Sequence, residues 1–195
     1  MSINLNCEEK DDEELIKLTL ENQQFFACVI KRYEDKIGRY IKRISGGNDQ
    51  DAEDLLQEIF IKAYQNLRDF DPDLKFSSWL YRVAHNHIIS SWRKQKAKPQ
   101  LIGGEEIEEF LESIASDINI EVDIHNKDLQ NEVRQVLEQM DIKYREVLVL
   151  KFLEEKDYKE ISDILRKPMG TVATLINRAK KQFRQKAKEV KAGFI

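Results

Sequence analysis

The fold of the C-terminal part of this chain is decided by residues 157–181, DYKEISDILRKPMGTVATLINRAKK. Its first half carries the apolar stripe of a short amphipathic helix. That stripe consists of Tyr158, Ile161, Ile164 and Leu165. Pro168 has no backbone N–H and cannot continue this helix, so we expect the helix to end by about Arg166.

The second half of the stretch predicts another helix after a tight turn. Gly170 permits the turn, and Thr171 can cap the helix that follows. The positions expected to face inward are Val172, Ile176, Ala179 and Phe183. The positions expected to face outward are Thr171, Ala173, Thr174, Asn177, Arg178 and Lys181. Short polar and basic side chains suit the major groove of DNA, so we predict a DNA-binding helix-turn-helix over residues 157–183. An ordinary helical hairpin with a basic surface is the alternative.

The rest of the chain also favours helices. Its 195 residues include only seven glycines and three prolines, and apolar residues recur at steps of three and four. We predict an all-α protein with two small helical domains, residues 12–96 and 127–191. The expected helices before the helix-turn-helix are 12–44, 49–67, 77–95 with Ser77 as N-cap, 127–140 and 142–153. The acidic segment 97–126 is expected to be a flexible linker.

Charge is segregated along the chain, although the formal net charge is only −4. Residues 49–58 hold five acids and no base, whereas residues 75–98 hold six bases and no acid. Residues 101–124 hold eight acids and no base, and residues 156–191 hold eleven bases against four acids. Solvated helix faces explain any single block of charge, but they explain four blocks of alternating sign poorly. The pattern indicates separate surfaces for separate partners.

Cysteine use and hydropathy indicate a reducing compartment. Cys7 and Cys28 are too few and too badly placed for a disulfide framework or a zinc site. The polar, acidic N-terminus is unlike a signal peptide, and no run approaches the roughly 18 apolar residues of a membrane span. We therefore expect a cytoplasmic protein with no membrane insertion, no metal and no cofactor.

An acidic face is expected on the helix over residues 49–67. Asp54, Gln57 and Glu58 follow at i, i+3 and i+4 and therefore share one side. An acid-amide-acid face suits docking to a basic partner helix. A solvated face or an empty metal site is the alternative, but neither His nor Cys is close enough in sequence to support a metal.

The basic stretch 75–98 is interleaved with aromatic residues, namely Phe76, Trp79, Tyr81 and Trp92. Such a surface can hold a phosphate backbone and stack on unpaired bases. Trp79, Arg82 and Asn86 fall on a shared side of the predicted helix. Trp79 is equally well explained as a core residue.

Together these motifs resemble the extracytoplasmic-function sigma factors of bacteria. The matching segments are DAEDLLQEIFIKAY (51–64), KFSSWLYRVAHN (75–86) and the YKEIS…GTV helix-turn-helix, and the likeness covers nearly all of residues 20–190. It implies a dissociable, non-enzymatic subunit of RNA polymerase. In the family, the region of Asp54, Gln57 and Glu58 clamps a coiled coil of core polymerase. The outward residues of the helix-turn-helix would read the minus-thirty-five element of promoter DNA as a duplex.

The resemblance also implies a surface that melts the minus-ten element and reads it as a single strand. Its candidates here are Arg68, Asp69, Phe70, Lys75, Trp79, Arg82, Asn86 and Arg93. The linker would thread into basic polymerase channels, although a solubilising spacer explains it equally well. An anti-sigma factor is a further implied partner. The sequence departs from the family at Ala173, Thr174 and Leu175, so the resemblance does not carry over a promoter sequence.

Two other functions are compatible with parts of the sequence. A free repressor or activator with the same helix-turn-helix would bind duplex tightly without polymerase, usually with a dimerisation helix that is not evident here. A nucleic-acid hydrolase using the carboxylates of residues 51–58 lacks a constellation of metal ligands.

Overall fold

The computed structural model describes residues 6–45, 49–95, 136–137 and 139–192, and every regular element in those ranges is helical. The all-α prediction is therefore confirmed. The N-terminal elements are α1 (Asp12–Glu21), a 3-10 turn (Gln23–Phe25), α2 (Phe26–Ser45), α3 (Asp49–Gln65), a second 3-10 turn (Leu67–Asp69) and α4 (Phe76–Gln95). The C-terminal elements are α5 (Ile142–Leu148) with a π-helical continuation (Val149–Leu153), α6 (Tyr158–Leu165) and α7 (Met169–Ala192).

The helix predicted over residues 12–44 is broken into two. Asp11 caps α1 by accepting a hydrogen bond from the Glu14 N–H at 2.8 Å. Asn22 has extended backbone, and its side chain accepts from the Gln24 N–H, so it ends α1 and starts the 3-10 turn. The apolar residues that recur at steps of three and four along α2 predict one buried stripe, and Phe26, Tyr33, Ile37, Ile41 and Ile44 are buried, whereas Ile30 is only partly buried.

The start of α4 differs from its prediction. Helix α4 starts at Phe76, and its first turn is closed by the Trp79 N–H donating to the Lys75 carbonyl. Lys75 rather than Ser77 therefore lies at the cap position, and that prediction was wrong. The predicted linker 97–126 and most of the predicted helix 127–140 lie outside the described residues.

The N-terminal segment is attached to α2, contrary to expectation. Cys7 and Cys28 form a disulfide with their Cα atoms 5.3 Å apart. The segment folds back across α2, where Arg32 donates to the carbonyls of Cys7 and Lys10 at 2.8 and 2.5 Å. The prediction that the two cysteines are too few and too badly placed for a disulfide framework did not foresee this bridge, because the spacing of the cysteines does not show that the chain folds back here.

The N-terminal and C-terminal helices pack directly on one another, with α2 and α4 against α5 and α6. A polar cluster lies in this contact. Arg43 donates to one carboxylate oxygen of Glu154 at 2.6 Å, and the Tyr81 hydroxyl donates to the other at 2.5 Å. The side chains of Arg43 and Glu154 are only 9% and 5% exposed. We refer to Arg43, Tyr81 and Glu154 as the seam triad.

A second buried pair lies beside the seam triad. The Nε2 atom of His85 is 3.8 Å from a carboxylate oxygen of Glu146. Burial raises the pKa of Glu146 to about 7, against the opposing effect of the nearby Lys167 charge. Burial, assisted by Lys167, lowers the pKa of His85 to about 4. His85 is therefore neutral at neutral pH, and Glu146 titrates there.

Glu146→Gln is expected to become more stable relative to wild type as the pH rises. The pKa of Glu146 is raised from 4.5 to about 7 in the folded chain, so the unfolded chain ionises first as the pH passes through that window. Wild type therefore loses stability there, by up to about 3 kcal/mol at 1.36 kcal/mol per pH unit. Urea unfolding of both proteins at about pH 5 and pH 8 measures the difference.

The matched control is Glu155→Gln, which removes a carboxylate from an exposed residue near the same contact. It should follow wild type at both pH values. If the stabilities of Glu146→Gln and wild type depended on pH in the same way, the raised pKa of Glu146 would be contradicted. His85 cannot mask the difference, because it contributes to the pH dependence of stability in both proteins.

Candidate nucleic-acid and partner interfaces

The helix-turn-helix is built by local hydrogen bonds. Asp157 and Glu160 form a reciprocal capping box at the start of α6, with bonds of 2.7 and 3.0 Å between each side chain and the other residue's N–H. Arg166 ends α6 in the left-handed conformation, at φ 51°. The Ser162 hydroxyl donates to the Lys167 carbonyl at 2.6 Å and holds the turn that follows.

The turn differs from its prediction in detail. Helix α7 begins at Met169, and the Pro168 carbonyl accepts from the N–H groups of Thr171 and Val172. Gly170 and Thr171 thus lie inside the first turn of α7, so the predicted roles of turn glycine and cap were wrong. Arg166 supplies the left-handed residue instead. Tyr158 was also wrongly placed in the apolar stripe of α6, since its ring is 40% exposed beneath the Lys151 ammonium.

The outward face of α7 is as predicted. The inward residues Val172, Ile176, Ala179 and Phe183 are at most 3% exposed. On the opposite side, Ala173 is half-buried and the other predicted residues are exposed. We call this set the recognition face, which comprises Thr171, Ala173, Thr174, Asn177, Arg178 and Lys181. The Thr174 hydroxyl already donates to the Gly170 carbonyl at 2.8 Å, so it offers an external partner its acceptor lone pairs.

The acid-amide-acid face is on α3, and all three of its side chains are exposed. Glu58 is not isolated, because one of its carboxylate oxygens lies 2.6 Å from Nε2 of His87 on α4. Asp54 and Gln57 present their polar groups to solvent beside it, while Ile59 is fully buried and anchors the helix.

An apolar groove lies next to this face and was not predicted. It has a volume of about 600 Å³ and runs between α2 and α3. Its apolar lining residues are Phe26, Ile30, Leu56, Phe60, Ile61 and Tyr64. Ile61 and Tyr64 are 56% and 41% exposed. The sequence did contain a signal for this groove, because Ile61 and Tyr64 are apolar and yet fall outside the buried stripe of α3. Gln57 lines the groove as well, so groove and acidic face are continuous.

The single-strand candidates do not form one open surface. Trp79 is 4% exposed and packs against Phe70 and Phe76, with ring centroids 5.7 and 5.6 Å apart, so it is a core residue in this arrangement. Arg68 and Asp69 are exposed on the second 3-10 turn, whereas Asn86 is exposed on α4. The Arg93 side chain is outside the described residues.

The two remaining candidates, Lys75 and Arg82, face α6. The Lys75 ammonium is 3.4 Å from a carboxylate oxygen of Glu160. Arg82 is half-buried, and this burial, together with the charge of Arg166, lowers its pKa against the opposing effect of Asp163. Lys75 and Arg82 thus approach the helix-turn-helix, although the Lys75 side chain stays 67% exposed.

Among the residues that the structure describes, no three His, Cys, Asp or Glu side chains are grouped as a metal ion would need. Over the same residues, no helix combines the length and the apolar character needed to cross a membrane.

Two family models match separate parts of the chain. The family model for Sigma-70 region 2 matches residues 29–98, and the model for Sigma-70 region 4 matches residues 130–183. The ECF RNA polymerase sigma factor SigW of Bacillus subtilis is 36% identical over 173 residues, covering 87% of this chain and 92% of that protein. The RNA polymerase sigma-H factor of Pseudomonas aeruginosa is 28% identical, covering 89% and 91%.

Solved structures share the fold. CnrH in complex with the cytosolic domain of CnrY gives a TM-score of 0.65 at 23% identity, covering 89% of this chain and 95% of that one. The sigma factor RpoE of Bartonella quintana, in complex with the anti-sigma factor NepR, gives 0.60 at 18% identity, covering 84% and 96%. With the match to SigW over nearly the full length of both proteins, this chain belongs to the extracytoplasmic-function group of the sigma-70 family of RNA polymerase sigma factors.

Proposed function

We propose that this chain is a dissociable initiation subunit that directs RNA polymerase to specific promoters and helps to melt them. The supporting observation is that one chain carries two exposed surfaces of opposite chemistry. The recognition face on α7 is polar and basic, whereas the face of Asp54, Gln57 and Glu58 on α3 is acidic and adjoins an apolar groove. A stand-alone regulator accounts for the first surface only.

The surface on α3 is the proposed contact with core polymerase. Its carboxylates can accept charge-assisted hydrogen bonds from a basic helix, which fixes register. The groove beside them supplies apolar area, and burying a side chain such as Ile61 contributes about 1.5–3 kcal/mol. A partner helix with basic residues along one edge of an apolar stripe fits both features.

The recognition face is the proposed reader of the minus-thirty-five duplex. Helix α7 presents Asn177, Arg178 and Lys181 along one side, within reach of base edges and phosphates when the helix lies in the major groove. Ala173 adds a small apolar contact suited to a thymine methyl group. Residues 127–191 would form this domain, with the helix-turn-helix at 157–183.

Residues 12–96 would form the domain that binds core polymerase and melts the minus-ten element, joined to the other by the linker 97–126. The proposed single-strand contacts are Arg68, Asp69, Phe70, Lys75, Arg82, Asn86 and Arg93. Trp79 supports Phe70 from beneath. Catalysis is assigned to the polymerase and none of it to this chain. A polymerase subunit acts in the cytoplasm, and the complex of RpoE with NepR supports an anti-sigma partner here too.

Run-off transcription tests the proposed function. Purified core polymerase from the source organism is incubated with a genomic template library, with and without the full chain. Promoter-specific transcripts are expected only when the chain is present. If the chain instead binds defined duplex sites tightly and yields no such transcripts with polymerase, it is a stand-alone regulator.

Asp54→Lys should reduce the affinity for core polymerase at least tenfold, because it reverses a charge in the centre of the acidic face without touching a buried residue. Binding of labelled chain to core polymerase measures the effect. Glu53→Lys is the matched control, since it makes the same charge change on an exposed residue about 100° around α3. Equal affinities of the two variants would argue against this face.

Arg178→Ala should weaken binding of the polymerase complex to the minus-thirty-five element and flatten its salt dependence. Losing one phosphate contact lowers the slope of log K against log salt by about one unit. Lys17→Ala is the control, because it removes one exposed positive charge from α1, outside the recognition face. A slope unchanged from wild type would show that Arg178 does not reach a phosphate.

A further inference from the structure

We propose that His87 on α4 is a positioning residue for the binding of core polymerase, because it holds the Glu58 carboxylate in a fixed orientation on the acidic face of α3. This inference rests on the proposed function, in which that face binds core polymerase. It adds to the interface a residue from a second helix, although the His87 side chain itself is only 11% exposed.

The bond between these two residues joins a largely buried donor to an exposed acceptor. Nε2 of His87 lies 2.6 Å from one carboxylate oxygen of Glu58, whose side chain is 60% exposed. A carboxylate only accepts hydrogen bonds, so the ring nitrogen carries the proton and donates it. Within the described part of the chain the second carboxylate oxygen accepts no hydrogen bond, so it is available to a donor of the partner. His87 therefore orients Glu58 and still leaves it able to bind.

Both ends of this bond are fixed by the packing of α3 on α4. Ile59, which follows Glu58, is fully buried, and Ile88, which follows His87, is 1% exposed. The backbone that carries the donor and the backbone that carries the acceptor are therefore held by the core. A binding group is placed most precisely when a bonded neighbour restrains it and both are carried on rigid elements.

The other carboxylate of the acidic face differs in this respect. Asp54 is exposed, and its side chain is not bonded to another side chain among the residues that the structure describes. It also has one rotatable bond fewer than Glu58, so it loses less conformational freedom when a partner orders it. Of the two carboxylates, Glu58 is the one for which orientation in the free chain matters more, and it is the one that has a restraining donor.

Orientation before binding raises affinity because the loss of side-chain freedom then occurs on folding. Ordering one flexible side chain at an interface lowers affinity by about twofold to tenfold. In the free chain the bond to His87 already restrains Glu58, so binding avoids this loss. Ion pairs with an exposed partner contribute little to folding stability. Removal of the donor should therefore weaken binding while it changes stability only slightly.

The test is a double-mutant cycle on the affinity of the full chain for purified core polymerase. His87→Leu removes the donor and keeps a side chain that suits a largely buried position, and it should bind about fivefold more weakly than wild type. In a Glu58→Ala background the same substitution should cause no further loss, because the restrained carboxylate is absent. In an Asp54→Ala background, the matched control, it should again weaken binding about fivefold.

A conservative variant separates orientation from packing. The side-chain amide of His87→Gln ends about as far from the backbone as Nε2 of histidine, so it restores an N–H donor and should restore wild-type affinity. If the bond only fastened α3 to α4, His87→Leu would lower the stability of the free chain to urea. It would then also weaken binding equally in the Glu58→Ala and Asp54→Ala backgrounds.

The positioning role is overturned if His87→Leu binds core polymerase as tightly as wild type or more tightly, or if its effect is equal in the two alanine backgrounds. The proposed function stands in either case. If wild type itself does not bind core polymerase, the proposed function fails and this inference fails with it. Should His87→Leu not fold by circular dichroism, His87→Asn replaces it in the cycle, because its amide is too short to reach Glu58.

Discussion

The carboxylate of Glu154, in the C-terminal half of the chain, is bonded to two side chains of the N-terminal half. It accepts hydrogen bonds from Arg43 and Tyr81, and both charged side chains of the pair are buried. A buried charge is tolerated only while its partner is present. This contact, together with the bond from Arg145 to the Ile44 carbonyl and the apolar packing around it, therefore sets the relative placement of α2, α4, α5 and α6. In that placement Arg82 lies against α6 and the recognition face of α7 is left exposed.

Much of this arrangement could be predicted from periodicity and local chemistry. The stripe of α2, the end of α6 before Pro168 and the outward side of α7 follow from spacing within one helix. The acidic face on α3 was predicted for the same reason. Each depends on residues within a few positions of one another, so no knowledge of the tertiary fold is needed.

The features that could not be predicted from the sequence depend on contacts between distant segments of the chain. The burial of Trp79 is set by Phe70 and Phe76 around it. The tight turn was attributed to Gly170, whereas Arg166 is the residue that adopts the left-handed conformation there. The groove beside Asp54 needs two helices to form. The pairing of Arg43 with Glu154 spans 111 residues and has no local signature. A long-range ion pair of this kind is visible only once the halves are packed.

The disulfide between Cys7 and Cys28 contributes to the stability of α1. It closes a loop of 21 residues that contains the whole helix. In the chain-entropy model a loop of this size contributes about 3 kcal/mol by restricting the unfolded chain. With the thiols reduced, α1 would be held by its apolar contacts and by Asp12, which bonds Arg32 and Tyr33. The helix would then be the part of the protein whose local unfolding responds most to the oxidation state of its surroundings.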